Sequence, residues 1–448
     1  MQVTTRNLDS TEVSAPAHGG PGVHSCRGVF VVDGAFAHLI NFGPFSFKNV
    51  ERAELREIWT GLIGSLSGLQ SEKVRFRVRI NPWLWCSDYD LISPWEVRGG
   101  MPRSASFNGE YLQLLTEFVG IASEGGVQVE VVLFDGEAFI PGRKGTGYFR
   151  NPFNPRFGGL LGPSPRPSFF QVSAPTNFEV RDDIDSDWPN MSLHLQLIQH
   201  GWVNAFVKAA GGFANVQWML YQNLDGVDPV RIAFIEHFIE FLRVVDPLDR
   251  AISCTTRTPG PADSALYRTF GIDTVQSSVA QDGFGVNMEI ADGLHELREF
   301  GKPVVLESAT SGWDIRNAWL AVIGGGSPTF PFGPELTDPV FLAFVKTLKD
   351  IGTRLLSSRA RIWDDAQPDS QTIWRSGGDQ VIGYTLRNTT QTGEPCGIRI
   401  KPGKWLGRFV NVRTGDSQDL SVTSNGVASI EMDYQVSEAA FYLIRSRE

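Results

Sequence analysis

Carboxylates recur at one kind of place along this chain, just past the end of an apolar, strand-like run. Asp88 and Asp90 follow Val74–Ile80, Asp135 and Glu137 follow residues 127–134, Asp225 follows residues 216–221, and Glu307 ends a run that starts at Val304. Acids gathered round one rim repel one another, so a cluster of them asks for a use. Two carboxyls facing across a sugar ring are the groups that cleave a glycosidic bond, about 5 Å apart for retention and wider for inversion. Glu307, Asp225, Asp135 and Glu137 are the candidate catalytic residues.

Groups suited to holding a ligand stand beside them. The second run ends Arg79-Ile80-Asn81-Pro82-Trp83-Leu84-Trp85. Arg79, an apolar-flanked cation near the strand end, is expected to hydrogen-bond a carboxylate from a neighbouring tip and keep it ionised. Trp83, Trp85 and, beyond Glu307, Trp313 offer flat rings for stacking on a sugar or, with equal weight, for packing under the rim. Asn81, Gln222, Asn223 and His38 complete the candidate binding set. A lyase or other chemistry using Asp135, His38 or Tyr221 stays open as a third reading.

These residues need a scaffold that brings distant strand ends together. Strand-like runs at 37–42, 74–80, 127–134, 216–221, 251–255, 274–278, 304–306 and 328–332 alternate with helix-like segments at 50–69, 108–123, 193–210, 229–245, 264–270, 288–300, 315–323 and 339–356. Asp228-Pro229 and Asp338-Pro339 each put a capping carboxylate before a proline at the first helical position. Gly211-Gly212 and Gly301-Lys302-Pro303 are matching stops. Eight strands alternating with eight helices give the count of an α/β (β/α)8 TIM barrel, whose chemistry collects at the C-terminal strand ends. A doubly wound sheet would want a Gly-rich phosphate turn after its first strand, and the sequence has none.

Beyond about Ser358 the helical period stops, and short alternating runs separated by Gly, Asn, Asp and Pro predict a small antiparallel β-sandwich. The expected division is a loose lead-in over 1–26, the barrel over 27–357 and the sandwich over 358–448. The connection at about 140–190 is long and aromatic, which predicts a lid or a subsite wall over the barrel mouth.

A formal charge of −10 argues against a nucleic-acid partner, which favours a basic face. No apolar run approaches the ~18 residues that span a bilayer, and no leader is written at the start, so a cytoplasmic location is the default, or a secreted one if a leader was removed. Four scattered cysteines, Cys26, Cys86, Cys254 and Cys396, give neither zinc spacing nor a disulfide framework. Glu236, His237 and Glu240 look like a metal trio but fall on an amphipathic helix away from any strand tip, and are expected as a solvated outer face. No metal and no cofactor are expected. A carbohydrate partner is expected, and the oligomeric state is left open.

Asn151-Pro152-Phe153-Asn154 with Gly158-Gly159 and Ser168-Phe169-Phe170, then a long helix, then Asn215, Trp218 and Gln222-Asn223-Leu224-Asp225, resemble the cellulase-like glycoside hydrolases of clan A. Those enzymes carry an Asn-Pro-Tyr-Asn…Gly-Gly loop before a strand ending Trp-Glu-Leu-x-Asn-Glu-x-Asp. Lys302-Pro303-Val304-Val305-Leu306-Glu307 resembles their nucleophile strand, and Asn317-Ala318-Trp319-Leu320-Ala321 with Gly324-Gly325-Gly326 the helix after it. The resemblance implies a barrel with an accessory sandwich, acting on an oligo- or polysaccharide in a cleft at the C-terminal face. It also places Asn223 where the acid/base glutamate is expected and Ser308 where the nucleophile is expected, with Glu307 one residue early. An amide is no general acid, and a one-residue shift turns a strand side chain to the other face. Two expectations follow: a hydrolase with Glu307 as nucleophile or base and Asp225, Asp135 or Glu137 as a relocated acid, or a pseudo-glycosidase that binds a glycan without cutting it.

Overall fold

The structure, a computed structural model, describes residues 23–26, 29–32, 35–139, 150–154, 193–224, 229–256, 266–279, 302–308, 315–331, 336–355, 361–387, 396–430 and 438–446, with positions 89, 100, 249, 267, 270, 352–354 and 368–369 left out of those spans. The chain opens with three short antiparallel strands, β1 (Val23–Cys26), β2 (Val29–Val32) and β3 (Ala35–Phe36). Then come β4 (His38–Phe45) and β5 (Val74–Ile80), a hairpin of β6 (Trp95–Arg98) and β7 (Met101–Phe107), and β8 (Gln128–Asp135). β9 (Val216–Leu224), β10 (Ile252–Thr256), β11 (Thr274–Val279), β12 (Val304–Ser308) and β13 (Ser327–Phe330) follow. The parallel strands close in the order β4-β5-β8-β9-β10-β11-β12-β13 and back to β4, which is a (β/α)8 barrel.

Helices α1 (Arg52–Leu69), α2 (Gly109–Glu124), α3 (Leu193–Ala210), α4 (Pro229–Val245), α5 (Ile315–Ile323) and α6 (Pro339–Asp350) cover the outside. Their starts follow local chemistry. Asn108 accepts from the Glu110 N–H at 3.0 Å to cap α2, and Asp338 accepts from Val340 N at 2.8 Å ahead of Pro339 to cap α6. Outward strand residues meet apolar helix faces: Phe134 packs on Phe234 and Phe238 of α4, with ring centroids 5.2 and 5.0 Å away. Each such fully buried ring contributes ~1.5–3 kcal/mol. The helix-like segment at 288–300 lies outside the described residues, as does most of that at 264–270.

Within the span read as a lead-in over 1–26, Val23–Cys26 already form the strand β1. Phe30 and Val32 are buried with Leu39 and Val305 in one small cluster, and Phe30 lies 5.8 Å from the Arg77 guanidinium. The strands β1–β3 thus cover the floor of the barrel, keeping Leu39, Val305 and the Arg77 guanidinium from water.

The C-terminal part is a sandwich. β14 (Arg361–Gln367), β15 (Ser370–Gly377), β16 (Gln380–Arg387), β18 (Gly403–Asn411), β19 (Ser417–Ser424) and β21 (Glu438–Arg445) form a six-stranded antiparallel sheet, and β17 (Cys396–Arg399) pairs with β20 (Val427–Ile430). Trp374, Trp405 and Phe441 on one face of the large sheet pack with Ile398 and Ile430 of the pair. Ile373, Ile382 and Tyr442 join the barrel core instead. Buried Arg375 donates to the Leu355 and Ile323 carbonyls at 2.6 and 3.2 Å, fastening the sheet to the barrel's last helices.

Candidate active site at the C-terminal mouth of the barrel

The lower barrel is lined by a buried charge network. Along β5 the sequence Arg75-Phe76-Arg77-Val78-Arg79 alternates, and Arg77 and Arg79 point inward. Arg77 donates to Asn41 Oδ1, Gln217 Oε1 and Glu130 Oε1 at 2.7, 2.7 and 2.9 Å. Arg79 Nε donates to Glu130 Oε2 at 2.7 Å, and Ser253 Oγ to Glu130 Oε1 at 2.8 Å. Burial pushes Glu130 up, but the two guanidiniums beside it and the hydrogen bonds from Arg79 and Ser253 outweigh that and hold its carboxyl below the usual glutamate range. Arg79 therefore does keep a carboxylate ionised, but in the interior of the barrel. It is 2% exposed and pairs with Glu130.

Above this layer the strands change step. Gln217 and Gln222 are five apart on β9, yet Gln217 meets Arg77 and Gln222 meets Asn81, both inside. Glu130 and Asp135 on β8 repeat the pattern. Strict alternation would send one of each pair outward. The register of β9 against β10 jumps between Met219 and Tyr221, while β8 and β9 remain matched to each other on both sides of the irregularity. Such a bulge re-aims the residues that follow it. At this point the Leu133 carbonyl accepts the indole N–H of Trp83 at 2.9 Å and of Trp202 at 2.6 Å.

The result is a polar cluster on three consecutive strand ends. Asn81 Nδ2 donates to Asp135 Oδ2 at 2.6 Å and to Gln222 Oε1 at 3.2 Å. Asp135 Oδ1 accepts from Asn223 Nδ2 at 3.2 Å and from Glu137 N at 3.0 Å. Asn223 sits at φ 58°, a left-handed conformation that asparagine tolerates, and its N–H donates to Thr255 Oγ1 at 2.7 Å. Gly136 is needed here: a Cβ on it would lie 2.4 Å from the Asn223 carbonyl oxygen. Burial pushes Asp135 up to about 6, against the hydrogen bonds from Asn81, Glu137 N–H and Asn223, with the Glu137 charge adding to the rise. Such a carboxyl exchanges its proton near neutral pH.

The structure brings Asp135, Asn81, Gln222 and Asn223 together, with Glu137 half-buried beside them in a single turn, Gly136–Phe139. Glu307 pairs through its backbone with Ser278 near the end of β12, four places round the ring from β8 and so on the opposite wall. Asp225 and Trp313 lie outside the described residues, as do the loop flanks at 140–149 and 155–192.

Three expected ligand contacts are placed elsewhere. Trp83 is 2% exposed; its ring packs on Trp95, Trp202 and Phe153, and its N–H is held by Leu133. Trp85 is also buried, with the Arg150 guanidinium 4.4 Å above its ring. Both pack behind the rim. His38 opens β4 with its N–H on the Lys73 carbonyl, just ahead of β5, and so lies at the N-terminal face away from the mouth. Burial, with the Lys73 charge adding to it, lowers His38 to about 4.

Glu130, Arg77, Thr255 and Gly136 were not singled out from the sequence as parts of the site. Polar residues two apart inside otherwise apolar runs, Arg77/Arg79 and Gln128/Glu130, are the signal that marks the interior network. The Asn151-Pro152-Phe153-Asn154 turn is buried against the site: Asn151 Nδ2 donates to the Ala138 carbonyl at 3.0 Å, and its Oδ1 accepts from Phe153 N at 2.9 Å.

No protein-family model matches the chain, and none of the curated proteins is similar to it in sequence. Its structure is similar to a glycoside hydrolase family 5 protein from Bacteroides vulgatus, with a TM-score of 0.60 at 12% identity, over 96% of this chain and 94% of that one. It is also similar to a noncanonic maltogenic α-amylase from Thermotoga neapolitana, with a TM-score of 0.52 at 14% identity, over 91% and 99% of the two chains. At such identities the likeness is one of fold. Over nearly its whole length the chain has the barrel-and-sandwich architecture of these solved glycoside hydrolases.

Proposed function

We propose that the protein acts on an oligo- or polysaccharide at the C-terminal mouth of the barrel, as a glycoside hydrolase. The observation that carries this reading is the Asp135 carboxyl, raised to about 6 and held by Asn81, Asn223 and the Glu137 N–H where three strand ends meet. A carboxyl poised near neutrality suits a general acid. Side-chain amides around it offer both donors and acceptors to sugar hydroxyls. Glu307, at the end of the opposite strand, serves as nucleophile or base, and Asp135 supplies the proton, with Glu137 and Asp225 as the alternative acids. Reducing-sugar release from a panel of glycans tests this directly. Turnover should fall by about 10²-fold or more in both Glu307→Gln and Asp135→Asn, and full activity in either variant removes that residue from the mechanism.

One observation favours a second reading. The strand end where the resemblance expects the proton donor carries Asn223, whose amide is engaged with Asp135. A pseudo-glycosidase would show saturable oligosaccharide binding by calorimetry with no product on any substrate of the panel.

A further inference from the structure

On the outside of the barrel, His200 of α3 and His237 of α4 turn their rings toward each other, with the two Nε2 atoms 2.7 Å apart. We propose that this pair binds a divalent transition-metal ion of the imidazole-preferring kind, Zn²⁺, Cu²⁺ or Ni²⁺, bridging the two helices. At this separation both nitrogens cannot carry hydrogen, so at least one lone pair is always aimed into the gap. The rings are held in place by aromatic neighbours. His200 packs on Phe241 and Phe238 at centroid distances of 4.4 and 5.4 Å, and His237 meets Phe238 edge-on at 5.2 Å. An apolar shell that fixes ring orientation favours ligation.

Both imidazoles are half-buried, so water reaches them, and Glu236 and Glu240 stand exposed on α4 beside His237. Tetrahedral Zn–N bonds of 2.0–2.1 Å put two ligand nitrogens about 3.3 Å apart. The rings need to part by roughly half an ångström to admit the ion, a small adjustment between two surface helices. Among the described residues no group of three or more His, Cys, Asp or Glu side chains is placed to hold a metal ion. The ion therefore keeps waters and exchanges, unlike a closed structural zinc site. Sequence alone misses the site because His200 lies 37 residues from His237 on another helix, and only docking of α3 against α4 joins them.

The test is calorimetric titration of the full chain with Cu²⁺, Zn²⁺ and Ni²⁺, alongside the electron paramagnetic resonance spectrum of the Cu²⁺ form. One ion per chain is expected, with Cu²⁺ tightest. His200→Ala and His237→Ala should each weaken binding by about tenfold or more. The wild-type Cu²⁺ spectrum, which needs no variant to fold, should show two imidazole nitrogens. Unchanged affinity in both variants, or a spectrum without paired imidazoles, puts the ion elsewhere and overturns the proposal.

Discussion

Asn223 Nδ2 donates to Asp135 Oδ1 across the ends of β9 and β8 at 3.2 Å. This bond favours the ionised carboxylate and so works against the burial that raises Asp135. Asn223→Ala removes it, and the carboxyl should then titrate higher. The expected outcome is a shift of the basic limb of the pH–rate profile, which the proton donor sets, toward higher pH, checked against a carboxyl ¹³C titration of Asp135. An unmoved titration would show that the contact has no electrostatic weight.

Asp135 also makes stability depend on pH. Its folded value of about 6 lies above the ordinary 3.8, so the native state holds the proton more tightly than the unfolded chain. The stabilisation is fully present below about pH 4 and is lost as pH rises through 6, amounting to about 3 kcal/mol. Denaturant midpoints measured between pH 4 and 8 should carry this decline, and Asp135→Asn should flatten it.

Glu130 runs the other way. Its carboxyl sits below the ordinary 4.5 between Arg77 and Arg79, so its contribution is present above that pH and is lost as pH falls below it. Glu130→Gln leaves two buried guanidiniums without their shared counter-charge and should cost about 3–5 kcal/mol, read from urea unfolding at pH 7.

Gly136→Ala would drive a methyl group into the Asn223 carbonyl, 2.4 Å from the ideal Cβ position. Because that carbonyl belongs to backbone, the strand end must move. We expect a loss of about 1–3 kcal/mol together with weaker oligosaccharide binding by calorimetry. Unaltered affinity would separate the end of β9 from the ligand.

Trp83 provides the contrast. Its buried ring and its bond to Leu133 make it part of the packing, and Trp202 donates to the same carbonyl. Trp83→Phe should cost about 1 kcal/mol for the lost hydrogen bond while leaving KM unchanged. A large rise in KM with unchanged stability would restore it as a sugar platform.

The sequence by itself determined the eight barrel strands and their order, though neither β1–β3 nor the β6–β7 hairpin. Val74–Ile80 is the same strand in the reading and in the structure, as are α3 and α4 as helices, because apolar period and capping residues are local. The alternation of strand and helix then left the closed barrel as the natural architecture, and turn-separated short strands marked the sandwich. The tertiary structure decided which side chains meet. Asn81 and Gln222 are 141 residues apart, and their contact depends on the change of step in β9 that turns Gln222 inward. Trp83 is buried because a hairpin delivers Trp95 onto one of its edges and α3 delivers Trp202, 5.1 Å away, onto another. His38 and Asp135 both touch strand ends in the sequence, but a parallel barrel separates N-terminal from C-terminal ends by the full length of the strands. Local pattern cannot register such contacts, since they exist only once strands far apart in the chain are hydrogen-bonded side by side.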